Sequence, residues 1–573
     1  MTPTAKSKRT PSPESAPTPE VRDRVDAAIA AVEAGARTWT LLTLGQRRTL
    51  LQRVRVAVGA VAGEWADVAS ASKGVEPGHP LRGEEWLSGP YAALVALDAY
   101  ADTLTALARG ASPLAKVKTG RAPGDRTVVH TSPLSAIDHV ILSGFTTEVW
   151  LEPGVTPADA RRTAGLAQRN PTVSGGVGVV LGAGNIASIP FLDVLYELLA
   201  ANRTVVLKVN PTQDALVPVF ERALAPLIEP GFLRIVRGGG DVGAYLTQHP
   251  SIAHVHITGA ESTFRAIVPQ LTVPITAELG GVSPIIVVPG AWSAADLRYQ
   301  AEHIVTMRLQ NSGHNCIAGQ VVIISDDWGQ KGAFLRELRA AYDRAPRRPV
   351  WYPNSTTKLD AVRDAYPDAI WCGDGTRALV VTGDDRDGAS DMEQTEYFAP
   401  VLGVVSVRGS GQTFLDAAVA HANDRLAGTL GANVLIEPRT QRALGDGFES
   451  AIADLRYGTV AVNAWTAFGF LTPTATWGAF PGGTLDDAPS GIGVVHNAFL
   501  LDRVERTVVR GPFRPFPRSL RTLRQGGGMT VLPKPPWFVT ARTGAAVSEG
   551  LTRFRSDGNL ARLVVTLVKA FGA

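Results

Sequence analysis

From Gly175 onward the chain alternates short apolar β runs with helical stretches, and this alternation constrains the fold more than any other feature. The run Gly176-Val177-Gly178-Val179-Val180-Leu181 reads as a buried strand, followed by Gly182-Ala183-Gly184-Asn185-Ile186-Ala187 and a helical stretch through Leu199. Three further strands are expected over 204–209, 233–236 and 254–257. Each runs into a turn: Lys208-Val209-Asn210-Pro211, Arg237-Gly238-Gly239-Gly240-Asp241, and Thr258-Gly259-Ala260. Strands and helices in this order predict an α/β fold with a parallel sheet. The glycines after the first strand fit G-x-G-x-x-A between strand and helix, the setting of a dinucleotide fingerprint. Small residues there also serve close helix–strand packing. The acid that holds ribose hydroxyls about 20 residues past such glycines is missing, and the second strand ends in Lys208 and Asn210.

A second feature concentrates the chemistry. In Asn311-Ser312-Gly313-His314-Asn315-Cys316-Ile317-Ala318-Gly319-Gln320, a helical segment over 301–309 stops and a β run over 321–324 begins. Glycines flank Cys316, as a backbone presenting a side chain to a cleft requires. Upstream lie Glu278 in Ala277-Glu278-Leu279-Gly280-Gly281, and Asn185. Thiol, carboxylate and amide suffice to attack a carbonyl, activate water and hold an oxyanion. Each also has a plain structural reading: an inert buried cysteine, a capping or salt-bridged glutamate, a turn-forming asparagine. A free thiol ionises near ~8.5, so Cys316 needs help from a helix end, backbone dipoles or a cationic ring.

At 573 residues, two or three domains with tails are expected. A net charge of +3 is small for this length and argues against a nucleic-acid partner. Two cysteines, Cys316 and Cys372, are too few for a disulfide framework and fit a reducing, cytoplasmic setting. Cys372 reads as structural. No run of about 18 apolar residues predicts a membrane span. His254 and His256 share a strand face, but two ligands do not make a metal site, and none is expected.

Residues 1–20 read as a disordered tail, 21–73 as amphipathic helices and 111–135 as a basic loop. Residues 139–151 read as two β runs around Ser143-Gly144, a hairpin. The aromatics Phe468, Phe470, Trp477 and Phe480 between 465 and 488 suit an apolar tunnel or plain core equally. Beyond residue 513 a proline- and arginine-rich stretch leads to Trp537-Phe538. A helix follows over 559–571, with Leu560, Leu563, Val564, Leu567 and Phe571 on one face. Such a helix docks on its own chain, or makes a weak membrane-surface contact or lid.

Taken in order, these motifs resemble the aldehyde dehydrogenase superfamily from about Val21 to about Phe513. The resemblance implies an α/β architecture: a Rossmann-type nucleotide domain (21–126 and 154–284), an α/β catalytic domain (285–499) and oligomerisation strands (127–153 and 500–513). Residues 514–573 form an unmatched C-terminal extension. It implies NAD(P)-dependent oxidation of a small-molecule aldehyde to an acid, with Cys316 as nucleophile, Glu278 as general base and Asn185 on the oxyanion. Lys208, Gly239, Gly259, Ala260, Leu279, Glu396 and Phe398 match cofactor-binding positions. Pro211 stands where the family often has an acid, which implies tolerance of NADP as well as NAD. Ala260 and Ala399 depart from the usual serine and glycine. A homodimer or homotetramer is implied. An acyl-thioester reductase and a non-catalytic member of the fold are the alternatives, and Glu278 favours hydrolysis over the former.

Overall fold

In the computed structural model, residues 16–382, 390–523 and 528–572 are described. The tail expected over residues 1–20 lies, through residue 15, outside them. Two sheets organise the described chain. The smaller has six strands, in the order Gly491–Ile492, Ile275–Leu279, Ile252–Gly259, Val177–Leu181, Thr204–Lys208, Leu233–Val236. All neighbours are parallel except the short Gly491–Ile492 strand at one edge. Val177–Leu181 and Thr204–Lys208 are buried on both faces, as near-continuous aliphatic runs in a parallel sheet must be. Helices Pro19–Leu41 and Leu44–Ser72 lie against this unit, the second started by a capping box between Thr43 and Gln46. They occupy the helical region expected over 21–73.

The larger sheet has eleven strands and mixes parallel and antiparallel pairs. Its middle strand is Gly431–Leu435, followed by Ser283–Val287 and Gly319–Ser325, and Val401–Val407 pairs with the last of these. At one end Val504–Arg510 pairs antiparallel with Thr146–Leu151, which pairs with Arg126–Ser132. Two expectations are corrected here. Residues 111–135 are not simply loop, because Thr119–Ala122 and Arg126–Ser132 are strands. The hairpin does not turn at Ser143-Gly144: its strands are Arg126–Ser132 and Thr146–Leu151, and Ala136–Ile141 between them is helical. The helix starts because Ser135 and Asp138 form a capping box, so His139 to Ile141 enter a helix instead of a strand.

The strand Ile275–Leu279 of one sheet continues, across Gly280-Gly281, into Ser283–Val287 of the other. Glu278 therefore sits at the joint between the two units. A Cβ on Gly280 would stand 2.1 Å from Glu396 Oε1, so a side chain at this strand end would displace the Glu396 carboxylate.

The C-terminal segment folds back over the chain. Arg514 and Arg518 bind Asp296, which starts the helix Ala294–Leu309 (2.9 and 2.6 Å). Helix Gly544–Asp557 packs on Gly83–Trp86 and Leu44–Ser72, and Leu560–Ala570 packs on it in turn. The apolar stripe expected on the last helix is split. Leu563 is buried and Leu567 partly so, whereas Leu560, Val564, Val568 and Phe571 are exposed, Val568 by 67%. Among the described residues no helix is long and apolar enough to cross a membrane.

Candidate active site

Cys316 lies in the loop between helix Ala294–Leu309 and strand Gly319–Ser325. Three consecutive residues before it, Asn311, Ser312 and Gly313, have left-handed backbones with φ of 53°, 58° and 76°. Strain of this kind persists only where the surroundings over-determine it. Here Asn311, fully buried, supplies the constraint. Its N–H donates to Glu84 (3.0 Å), and its Nδ2 to the carbonyls of Asn185 (3.1 Å) and His314 (2.8 Å). Its Oδ1 accepts from Arg348 (3.1 Å) and Trp351 (3.2 Å). Arg348 is itself anchored by Glu84 and Glu85, and Lys73 binds Glu85 at 2.9 Å.

His314 ties this loop to the one carrying Glu396. Its Nδ1–H donates to the Phe398 carbonyl (2.8 Å), and its ring stands among Trp351, Tyr352 and Phe398. Burial holds His314 neutral by lowering its pKa to about 3. Arg308, at the end of the helix, donates to the carbonyls of Gly313, Ala318 and Ala399.

Asn185 is buried after the first strand of the small sheet, and its Nδ2 donates to the His314 carbonyl at 3.2 Å, which places the amide beside the Cys316 loop. Glu278 is buried and accepts the Trp477 indole N–H at 3.0 Å. Among the described residues it neither caps a helix nor pairs in a salt bridge. Burial raises its pKa to about 7, against the pull of the Trp477 N–H and the Cys316 thiol. The Cys316 thiol is pushed well above its ordinary value, first by burial and then by the charge of Glu278 and a hydrogen bond to it. Its own backbone N–H acts in the opposite sense. The help that a thiol here needs in order to ionise is thus opposed by burial and by Glu278. Thiol, carboxyl and amide meet where the two sheets join. Cys372 is buried in the strand Ile370–Cys372, remote from this chemistry.

A cavity of about 60 Å³ opens at Cys316, walled by Ile186, Ile189, Trp465, Phe470, Trp477 and Trp537 among others. Of the aromatics between 465 and 488, Phe468, Phe470 and Trp477 thus face the chamber, while Phe480 lies under the Arg506 guanidinium.

The matched cofactor positions collect at the carboxyl ends of the small sheet's strands. Lys208 closes Thr204–Lys208, Gly239 precedes the helix Gly240–Thr247, and Gly259 and Leu279 end the next two strands. Ala260 starts Glu261–Ile267 with no side-chain cap, because it has no hydroxyl to offer. Glu396 has a buried Oε1 without a hydrogen-bond partner among the described residues, and burial raises its pKa to about 7. Phe398 sits at φ +46°. These residues fit a dinucleotide, because a buried carboxylate oxygen with no donor suits a sugar hydroxyl.

One cluster escapes the motifs. On the sheet face carrying Glu278, Asp193 accepts from Thr258 (3.0 Å) and His496 (3.0 Å) and stands 3.5 Å from His256. Nearby, His254 approaches Glu197 at 3.3 Å. Each histidine of the strand thus faces a carboxylate. Among the described residues no group of three or more His, Cys, Asp or Glu is arranged to hold a metal. The alternation His254-His256-Thr258 placed these side chains on one face. Nothing in the sequence announced Asp193 or His496 as their partners.

Residues 95–349 match the sequence model of the Aldehyde dehydrogenase family. A fluoroacetaldehyde dehydrogenase of Streptantibioticus cattleyicolor is 28% identical over 353 residues, 56% of this chain and 64% of that protein. An aminoacetaldehyde dehydrogenase of Pseudomonas aeruginosa is 30% identical over 266 residues, 42% of this chain and 52% of that protein. The matches thus span between about half and two-thirds of these relatives' lengths. In fold, a variant of aldehyde dehydrogenase C from Pseudomonas syringae, solved with NAD+ and octanal, superposes with a TM-score of 0.58 at 20% identity, covering 86% of this chain and 90% of that one. Over residues 95–349 the chain is similar in sequence to the Aldehyde dehydrogenase family, and its fold is that of the aldehyde dehydrogenase structures.

Proposed function

We propose that this protein oxidises an aldehyde to a carboxylic acid with NAD or NADP, through a thioester on Cys316. The observation that carries the reading is the convergence of the Cys316 thiol, the Glu278 carboxyl and the Asn185 amide around one small apolar chamber. Glu278, ionised above about pH 7, takes the thiol proton as sulfur adds to the aldehyde carbon. The oxyanion that forms accepts the N–H groups of Asn185 and of Cys316 itself. The bound dinucleotide supplies the acceptor for the hydride that leaves this carbon. Once Glu278 has passed the thiol proton to solvent, it draws a proton from water, which attacks the thioester and releases the acid as sulfur leaves as thiolate, and the Trp477 N–H holds the carboxylate in place.

Lys208, Gly239, Gly259, Ala260, Leu279, Glu396 and Phe398 are assigned to the dinucleotide, and the six-stranded unit to the nucleotide-binding domain. The ribose-binding acid is missing after Lys208, which leaves both NAD and NADP admissible. A homodimer or homotetramer built on the Thr146–Leu151 and Val504–Arg510 strands is part of the reading, to be measured by light scattering.

The test is nicotinamide absorbance with short, aromatic and long-chain aldehydes, with NAD and with NADP, beside Cys316→Ala. Turnover that vanishes in Cys316→Ala while nucleotide binding persists is expected. Silence across the panel with nucleotide still bound rejects aldehyde oxidation. It turns attention to acyl thioesters, and then to a non-catalytic role.

A further inference from the structure

The 60 Å³ chamber at Cys316 is small, since a site needs roughly 10–15 Å³ to hold one water-sized group. It admits the reacting carbonyl and little more. Beyond it lies a cavity of about 980 Å³, at the upper end of ligand-cleft sizes of roughly 300–1,000 Å³. Leu87, Phe468, Leu471 and Trp537 line both spaces, so the two meet across a shared apolar wall. Trp537 is supplied by the C-terminal extension and packs against Phe145 and Phe468 (ring centroids 5.4 and 5.8 Å). Outward from this wall, Tyr91 and Val95 face Leu532, Val547, Leu551 and Leu567, the last four again from the extension. Two arginines on the lining are already engaged, Arg55 by Asp98 (2.5 Å) and Arg555 by Asp138 (2.8 Å); Arg48, Asp102 and Arg109 complete the charged lining.

We propose that the outer cavity is a tail site, and that the substrate is an aldehyde with a long apolar chain whose carbonyl reaches Cys316 past Trp537. The inference rests on the aldehyde-oxidising reading for its reaction, but the tail site is testable without turnover. A chain passing the shared wall exchanges water for aliphatic contact at each methylene, about fourfold in binding per group when fully buried.

The full-length protein is assayed with a straight-chain series from propanal to decanal. The expected result is a kcat/KM for decanal at least tenfold above that for propanal. Val95→Trp and Val547→Trp, which fill the cavity, are expected to lower the decanal-to-propanal ratio tenfold or more, with thermal melts verifying that both fold. In parallel, the fluorescent fatty acid cis-parinaric acid is titrated into Cys316→Ala and displaced with decanal. Binding that the filling substitutions abolish supports the tail site even if no aldehyde is turned over, in which case only the reaction is lost. A chain-length-independent kcat/KM overturns the inference, as does folded protein that does not bind the probe. A dimer that excludes the probe and opens on Leu134→Glu also overturns it, because the cavity is then a subunit interface.

Discussion

At Glu278, one carboxyl carries opposed demands. Its pKa of about 7 places its ionisation in the working range of a general base. Because the base acts deprotonated, kcat/KM should fall as pH drops through about 7. Trp477→Phe, which removes the N–H that favours the carboxylate, should move that limb to higher pH; a pH–rate profile reads both. The same shift has a thermodynamic sign. The folded state holds this proton more tightly than the unfolded chain, so stability declines as pH rises from about 4.5 to 7. Glu278→Gln should therefore abolish acid release yet stabilise the fold above pH 7, by up to about 3 kcal/mol, measurable in denaturant melts at two pH values. Asn311 carries the converse arrangement. It touches no reacting atom but fixes the left-handed turn before Cys316. Asn311→Asp keeps its shape and turns an oxygen toward the His314 and Asn185 carbonyls. A fall in kcat of about a hundredfold with nucleotide affinity retained is the expected result, the size that ~1 Å of misplacement costs.

Among the elements, the sheet face behind Glu278 holds charge that must stay paired. Asp193 is buried against His256, His496 and Thr258, and His256 and His496 hold its carboxyl well below the usual range even against burial. Removing it strands two buried histidines, so Asp193→Ala should cost about 3–5 kcal/mol in urea unfolding. How far the sequence discloses such elements depends on range. Cys316, Glu278 and Asn185 were legible because each sits where a strand or helix breaks beside glycine, a local signal. The Trp477–Glu278 bond joins residues 199 apart and the Asp193–His496 bond residues 303 apart, distances no periodicity encodes. The helix Ala136–Ile141 was legible in Ser135-x-x-Asp138 yet masked by the apolar residues Val140 to Leu142, which read equally as strand. The upward push on the Cys316 thiol was not legible for another reason: burial is a property of the assembled chamber, whose walls come from six separate stretches of chain.

For the whole molecule, the joint between the sheets and the wall supplied by the extension set the behaviour. Gly491, at φ +125°, pairs with Glu278 across the sheet, and a Cβ there would stand 2.0 Å from the Ala277 carbonyl oxygen. Gly491→Ala should push the two units apart at the joint, lowering Tm and activity together. The extension's docking has a temporal side. The Thr552 hydroxyl donates to the Trp86 carbonyl across 466 residues, and Arg55 reaches the Ser556 carbonyl across 501. During synthesis at roughly 5–20 residues per second, the early helices therefore wait on the order of half a minute or more for their cover. In that interval Leu87 and Tyr91 present apolar surface that the helices Gly544–Asp557 and Leu560–Ala570 later help to conceal, and a nascent chain is a customer for chaperones until they dock.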